Sequence, residues 1–275
     1  MAGLTSKEVL AGVFSRHAAA YRARLMGTGD PRAHTGRRRV LEAIDAQPGQ
    51  RVLDLACGPG TLTLPLAKAV GPGGSVLAVD LAQGMLDLLR AAAPPHVEVL
   101  RMDIEDLQLP DGSFDAVACG HGLHLCPDLP RALGEAHRVL REGGVFAASV
   151  PGPAEGPGPA ELMAEALAGL PPPPEADRVA TSETLADAGR TCAALVAAGF
   201  RDARVVAFAE TDSYEGPEDL VEKTCGWWTC AWLLESLDAP AQAAVRRRAV
   251  EAVQGKMGRE RIDLRASTHV LEARR

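Results

Sequence analysis

The sequence predicts an α/β protein whose largely parallel sheet is wound by helices on both faces, and three features carry that expectation. The first is Val52-Leu53-Asp54-Leu55, a short apolar run that breaks into Ala56-Cys57-Gly58-Pro59-Gly60 and opens a helix over about residues 61–70. The second is its repetition: residues 75–80 and 97–103 are two further apolar runs, each ending in an aspartate, with a helical stretch over about 83–92 between them. The third is a fourth run, 114–119, followed by a helix over about 128–141. Strands that alternate with helices of this length form βαβ units, which build a doubly wound sheet.

The glycine turn is the centre of the chemistry. Gly58 and Gly60 carry no side chain to keep a ligand off the backbone, and the helix behind them aims the positive end of its dipole at the turn. A dinucleotide fingerprint needs a third glycine where this chain has Thr63, and a P-loop needs a lysine after the last glycine, whereas Lys68 lies well inside the helix. Asp54, inside the strand, suits a cationic ligand or a bridging water better than a pyrophosphate. Asp80 stands 20 positions after Gly60, where a carboxylate accepts both hydroxyls of a ribose. Asp103 and Ile104 offer an acceptor for an exocyclic amine and an apolar wall for a purine. Each acid alone is also an ordinary loop-capping residue, but three in series on successive strands are much harder to read that way.

Taken together, Leu53-Asp54-Leu55-Ala56-Cys57-Gly58-Pro59-Gly60, Val79-Asp80, Met102-Asp103-Ile104 and Ser113-Phe114-Asp115 resemble the class I S-adenosylmethionine-dependent methyltransferases. The subgroup most like this chain comprises small-molecule enzymes of the ubiquinone and menaquinone type. The resemblance implies a seven-stranded Rossmann-like sheet with an antiparallel edge hairpin and a mostly helical cap. It also implies S-adenosylmethionine as methyl donor and S-adenosylhomocysteine as product. Ala56, Cys57, Gly58 and Gly60 would then face the methionine part of the cofactor, with Asp54 near its ammonium. Asp80 would bind the ribose, Leu81 and Met85 would lie against the adenine, Asp103 would accept from its amine and Ile104 would stack on the ring. Cys119, at the end of the fourth strand, would sit beside the sulfonium. Phe14 and Ala19-Ala20-Tyr21 occupy the place of an N-terminal lid, with Tyr21 over the cofactor, although Arg22 follows where family members often have Asp.

Composition narrows the partners. A formal net charge of -7 argues against a nucleic-acid backbone as ligand. Arg37-Arg38-Arg39 and Arg246-Arg247-Arg248 point around a helix rather than along one face, with Glu42 and Glu251 close by, so both read as solvated surface. The six cysteines, at 57, 119, 126, 192, 225 and 230, show neither metal-ligand spacing nor a disulfide framework, so no metal is expected and a cytoplasmic location fits. No signal peptide is evident and no apolar stretch is long enough for a membrane span, so a soluble protein without membrane contact is expected. The oligomeric state is not legible.

The domain organisation expected is a helical lid over 1–45, a cofactor-binding core over 46–151, a Pro/Gly-rich insertion over 152–182 and a C-terminal part over 183–275. Within the last, a helix over about 183–198, a strand over 203–211, helices over about 218–237 and 241–256 and a strand over 262–271 follow in order, with a substrate cap at about 217–257. Trp227, Trp228 and Trp232 are all the tryptophans of a chain with 4% aromatic residues. On one continuous helix, Trp228 and Trp232 share a face with Thr224 and Cys225. Packing of the cap explains them, and so does an aromatic wall for an apolar acceptor.

His121 and His124 follow the fourth strand and titrate in the range of a general base. His124 also suits the start of the next helix, and an acceptor that is already ionised needs no base. The function expected is methyl transfer from S-adenosylmethionine to oxygen, nitrogen or activated carbon of a hydrophobic small molecule, such as a secondary metabolite or a quinone-like acceptor. The alternative is a methyltransferase-like protein that binds the cofactor but acts as a cyclase or a binding module.

Overall fold

The structure, a computed structural model, describes residues 5–26, 35–153, 155–170 and 179–275, and the side chains of residues 24, 26, 35, 179 and 228 are not described. Pro171 to Pro174 of the expected insertion, the lid residues 1–4 and 27–34, and the Trp228 side chain therefore lie outside what is described. The chain divides into two compact units. The first comprises Met1–Pro153, Ala176–Phe208 and Thr268–Arg275; the second comprises Ala154–Glu175 and Ala209–Ser267.

In chain order the elements of the N-terminal half are α1 (Ser6–Arg16), α2 (Ala18–Met26), α3 (Thr35–Ile44), β1 (Arg51–Leu55), α4 (Thr63–Val70), β2 (Ser75–Asp80), α5 (Gln83–Arg90), β3 (Val97–Arg101), β4 (Phe114–Gly120), α6 (Leu129–Val139) and β5 (Leu140–Pro151). They are followed by α7 (Pro159–Leu162), α8 (Ala164–Leu167), α9 (Val179–Ala186), α10 (Ala188–Ala197), β6 (Arg201–Tyr214), α11 (Pro217–Cys225), α12 (Trp228–Glu235), α13 (Ala239–Met257) and β7 (Ile262–Arg274). The seven strands form one sheet in the order β3-β2-β1-β4-β5-β7-β6. β1 pairs in parallel with β2 and β4, β2 with β3, and β4 with β5, whereas β7 runs antiparallel to β5. β6 and β7 complete the antiparallel hairpin at the edge.

The central strands read as apolar runs because both of their faces are covered. Val52, Leu53 and Leu55 of β1 are each 0% exposed. α6 shows why the helices lie down on the sheet: Leu129, Ala132, Leu133, Ala136 and Val139 repeat at the helical period and are all buried, and the Asp128 carboxylate caps the first turn by accepting from the Arg131 N–H at 3.0 Å. The order of the strands reverses between β1 and β4, and the crevice beyond their C-terminal ends is where ligands of doubly wound sheets bind.

Three expected helices are altered in ways the backbone explains. α4 begins at Thr63 rather than near residue 61, because Gly60 has φ +96°, which no helical residue adopts. The helix expected over 183–198 breaks into α9 and α10 at Asp187, whose extended backbone and side chain cap α10 by accepting from the Arg190 N–H at 2.7 Å. The helix expected over 218–237 breaks at Gly226 and Trp227, and Trp227 is extended (φ −75°, ψ 146°) at the start of α12. The face that Trp228 and Trp232 share at i,i+4 on α12 therefore does not continue to Thr224 and Cys225, which belong to α11.

The second unit has its own core, in which Leu162 and Met163 near α7, Leu220 and Val221 of α11 and Val245, Ala249 and Val253 of α13 are buried together with Tyr214 and Ile262. Residues 183–208, expected with the C-terminal part, are counted in the first unit, where Leu185, Leu195 and Phe200 join the core under the sheet. No helix among the described residues is long and apolar enough to cross a membrane.

Candidate functional site

A cavity opens in the first unit at the switch point of the sheet. It is lined by the turn after β1 (Ala56, Cys57, Gly58, Pro59 and Thr61), the end of β2 and start of α5 (Asp80, Leu81, Ala82 and Met85) and the segment after β3 (Met102, Asp103, Ile104 and Glu105). Gly120, His121 and Gly122 close the β4 side, and Lys7, Leu10, Phe14, Tyr21, Leu25 and Arg37 line it from α1, α2 and α3.

The turn after β1 is shaped for close approach. Ala56 and Gly58 have φ +50° and +53°, and nothing lies within 4 Å of where a Gly58 side chain would start, so the backbone there faces open space. The Asp80 carboxylate braces the turn: one oxygen accepts from the Gly58 N–H at 2.9 Å, the other from the Ala82 N–H at 2.8 Å. Burial raises the Asp80 carboxyl above the usual carboxylate range despite those two donors. Each oxygen keeps a second lone pair, which matches a diol.

Asp54 is buried and is not among the lining residues. Its carboxylate accepts from the Thr63 hydroxyl at 2.5 Å, and burial pushes it up to about 7, against the pull of that hydrogen bond and of the Arg37 charge. Thr63, which stands where a dinucleotide fingerprint has its last glycine, is thus the partner of the acid. Arg37 is the residue the sequence misplaced: it is only 5% exposed, lines the cavity, and has its Nε buried with no hydrogen-bond partner among the described residues. The signal was available, since Arg37 lies three and seven positions before Val40 and Ile44, both buried on the same face of α3. Arg38 and Arg39 pair instead with Glu42. Arg37 at the cavity wall, with the charge of buried Asp54 close enough to feel it, fits an anionic group beside a cationic one.

At the other end, Asp103 accepts from the Glu105 N–H at 2.9 Å and from the Lys7 ammonium at 2.7 Å, and Glu105 accepts from Lys7 as well. Burial disfavours the Lys7 charge, but the hydrogen bonds and charges of the two acids outweigh it and hold the ammonium above its usual range. Phe14 and Tyr21 meet edge to face at 5.5 Å and pack with Met85, which puts the expected lid residues on the cavity.

Four of the residues expected to hold the cofactor or act as base stand off the lining. A Cβ on Gly60 would lie 2.5 Å from Leu89 Cδ1, so this glycine serves the packing of α5. Cys119 is fully buried, with its thiol pushed up to about 12 by burial, and a Cβ on Gly122 would lie 2.8 Å from its sulfur. His124, in a short 3-10 turn, meets the His121 ring edge to face at 6.4 Å. Asp54 is the fourth. Trp227 and Trp232 belong to the second unit, while every lining residue belongs to the first.

His121 follows β4 directly with φ +59°, an uncommon conformation for a side-chain-bearing residue. Ser149 of β5 holds it twice: the His121 N–H donates to the Ser149 carbonyl at 2.8 Å, and Nδ1 lies 2.8 Å from the Ser149 hydroxyl. Lys7, Glu105 and Ser149 were not singled out from the sequence because each acts across the fold rather than within a motif.

Residues 52–144 match the family model described as a methyltransferase domain. Over 105 residues the chain is 41% identical to demethylmenaquinone methyltransferase of Symbiobacterium thermophilum, which covers 36% of this chain and 42% of that one. The chain spans less than half the length of the curated relatives it matches. Among solved structures it resembles phosphoethanolamine N-methyltransferase 2 of Haemonchus contortus, with a TM-score of 0.61 at 17% identity over 99% of this chain and 60% of that one. It also resembles the cyclase SpnF, with a TM-score of 0.54 at 19% identity over 86% and 79% of the two chains. The segment from β1 to the start of β5, with its glycine turn and its strand-ending acids, is a methyltransferase domain of the class I S-adenosylmethionine-dependent family.

Proposed function

We propose that the cavity binds S-adenosylmethionine and that the protein transfers its methyl group to oxygen, nitrogen or activated carbon of a small organic acceptor. The observation that supports this best is the pair of acids Asp80 and Asp103, at the end of β2 and just after β3, that line a single crevice with Asp54 of β1 buried behind it. Asp80 receives the ribose hydroxyls, Asp103 and Ile104 the adenine, and Gly58 lets the chain pass close to the backbone. Arg37 faces the carboxylate of the amino-acid end, and Asp54 favours its ammonium. The cofactor supplies a sulfonium leaving group. What the protein adds is alignment and exclusion of water, for which Leu10, Phe14, Leu25 and Met85 provide an apolar wall. A quinone-like acceptor is the class suggested by the demethylmenaquinone methyltransferase relative.

Calorimetry with S-adenosylhomocysteine tests the site. The full chain is expected to bind at about micromolar Kd. Asp80→Ala removes charge-assisted hydrogen bonds of about 1.5–3 kcal/mol, a loss of roughly 10- to 100-fold, and Gly58→Val puts a branched residue at φ +53° and abolishes binding. Undiminished affinity in both variants rejects the site. Arg37→Leu is expected to bring the affinity for S-adenosylhomocysteine down towards that for 5′-methylthioadenosine, which lacks the amino-acid end. Release of S-adenosylhomocysteine during turnover separates methyl transfer from a cyclase or binding module that only retains the cofactor.

A further inference from the structure

Ser149 is 0% exposed, and the hydrogen-bond partner of its hydroxyl among the described residues is the His121 ring. A serine hydroxyl has one proton and two lone pairs, and a buried proton with no acceptor costs about 1–3 kcal/mol. If Nδ1–H donated to Ser149, the hydroxyl proton would be left in that position. If Ser149 donates to Nδ1, it is satisfied. A neutral imidazole carries one N–H, so in this second arrangement the proton sits on Nε2. The ring is held in place by its surroundings: a Cβ on Gly36 would lie 3.0 Å from His121 Cε1 and 3.1 Å from Ser149 Cβ, so α3 packs directly on the pair.

We infer that Ser149 is a positioning residue that keeps neutral His121 as the Nε2–H tautomer, so that His121 is not the base for methyl transfer. This rests on the methyltransferase reading for its consequence, which concerns the acceptor. With no proton accepted by His121, the nucleophile arrives with its lone pair available, as an ionised phenol or enol or as a neutral amine. That lone pair forms the bond to the methyl carbon as the carbon–sulfur bond breaks and its electrons go to sulfur. A phenolate leaves neutral; an amine leaves as a cation and gives its proton to water afterwards.

Long-range 1H–15N spectra of the full chain labelled with 15N-histidine decide the matter at about pH 8, above the ordinary histidine pKa of about 6.5. His121 is identified among the seven histidines by the pattern lost in His121→Asn, since Asn tolerates positive φ. The expected pattern is a pyridine-like Nδ1 and a pyrrole-like Nε2, and Ser149→Ala is expected to move the Nδ1 signal while leaving the other histidines in place. A pyrrole-like Nδ1 in the wild type, or an Nδ1 signal indifferent to Ser149→Ala, overturns the inference. The wild-type spectrum needs neither cofactor nor acceptor. If S-adenosylhomocysteine fails to bind, the functional reading falls while the tautomer result stands on its own.

Discussion

Asp54 sits in an electrostatic conflict, a carboxyl raised to about 7 by burial although Thr63 donates to it and Arg37 attracts its charge. Its folded value lies above the unfolded value of about 3.9, so its contribution to stability is complete below about pH 4 and is lost as pH rises through about 7. A ligand bearing an ammonium reverses the preference, because only the ionised form attracts it. Affinity for S-adenosylhomocysteine is therefore expected to strengthen about tenfold per pH unit up to about pH 7 and to level above it. Asp54→Asn should flatten that slope, and calorimetry across about pH 5.5–8 measures both; a slope that survives the substitution assigns it to another group. Asp54, Asp80 and Asp103 were legible in the sequence because each ends or interrupts an apolar run, so its place on a strand is known from its neighbours. Ser149 was not, because what defines it is a partner 28 positions away at the end of the neighbouring strand, whereas Arg37 was hidden by the two exposed arginines beside it.

α1 shows how an element is fastened to the site. Thr5 and Glu8 cap its first turn reciprocally, Lys7 reaches Asp103 and Glu105 beyond β3, and at its far end the Ser15 hydroxyl accepts from the Gly84 N–H of α5 at 3.3 Å. Gly84 is what permits that approach, since a Cβ there would collide with the Ser15 backbone. Gly84→Ala is expected to lift α1 from α5 at a cost of about 1–3 kcal/mol. Faster hydrogen exchange over residues 6–16 and weaker S-adenosylhomocysteine binding would follow, with the sheet strands still protected. Unchanged exchange in α1 would show that the Ser15–Gly84 approach is not what fastens it. The strands β1, β2 and β4 were legible because burial on both faces writes an apolar run into the sequence, whereas β3 and the edge strand β6 are half exposed, and the hairpin at the edge was expected from the family resemblance. The helix breaks at Asp187 and Gly226 were not, since the apolar pattern runs through both and only the backbone conformation separates the pieces.

At the scale of the molecule, the sequence predicts a cofactor-binding core followed by a less regular C-terminal region, but not which parts share a hydrophobic core. The second unit is assembled from two separated segments, with residues 154–175 joined to 209–267 by the packing of Leu162, Met163 and Ala166 among α11 and α13. Such a division depends on contacts far apart in sequence, which periodicity does not report. It has a consequence for ligand binding. All residues lining the cavity belong to the first unit, so a ligand in it stabilises that unit directly, by about 2.7 kcal/mol at a concentration 100 times Kd. Hydrogen exchange of the full chain with saturating S-adenosylhomocysteine is therefore expected to slow over residues 6–25, 56–61, 80–85 and 102–105, with α11, α12 and α13 unchanged. Slowed exchange around Trp227 and Trp232 under the same conditions would show instead that the second unit responds to the ligand as well.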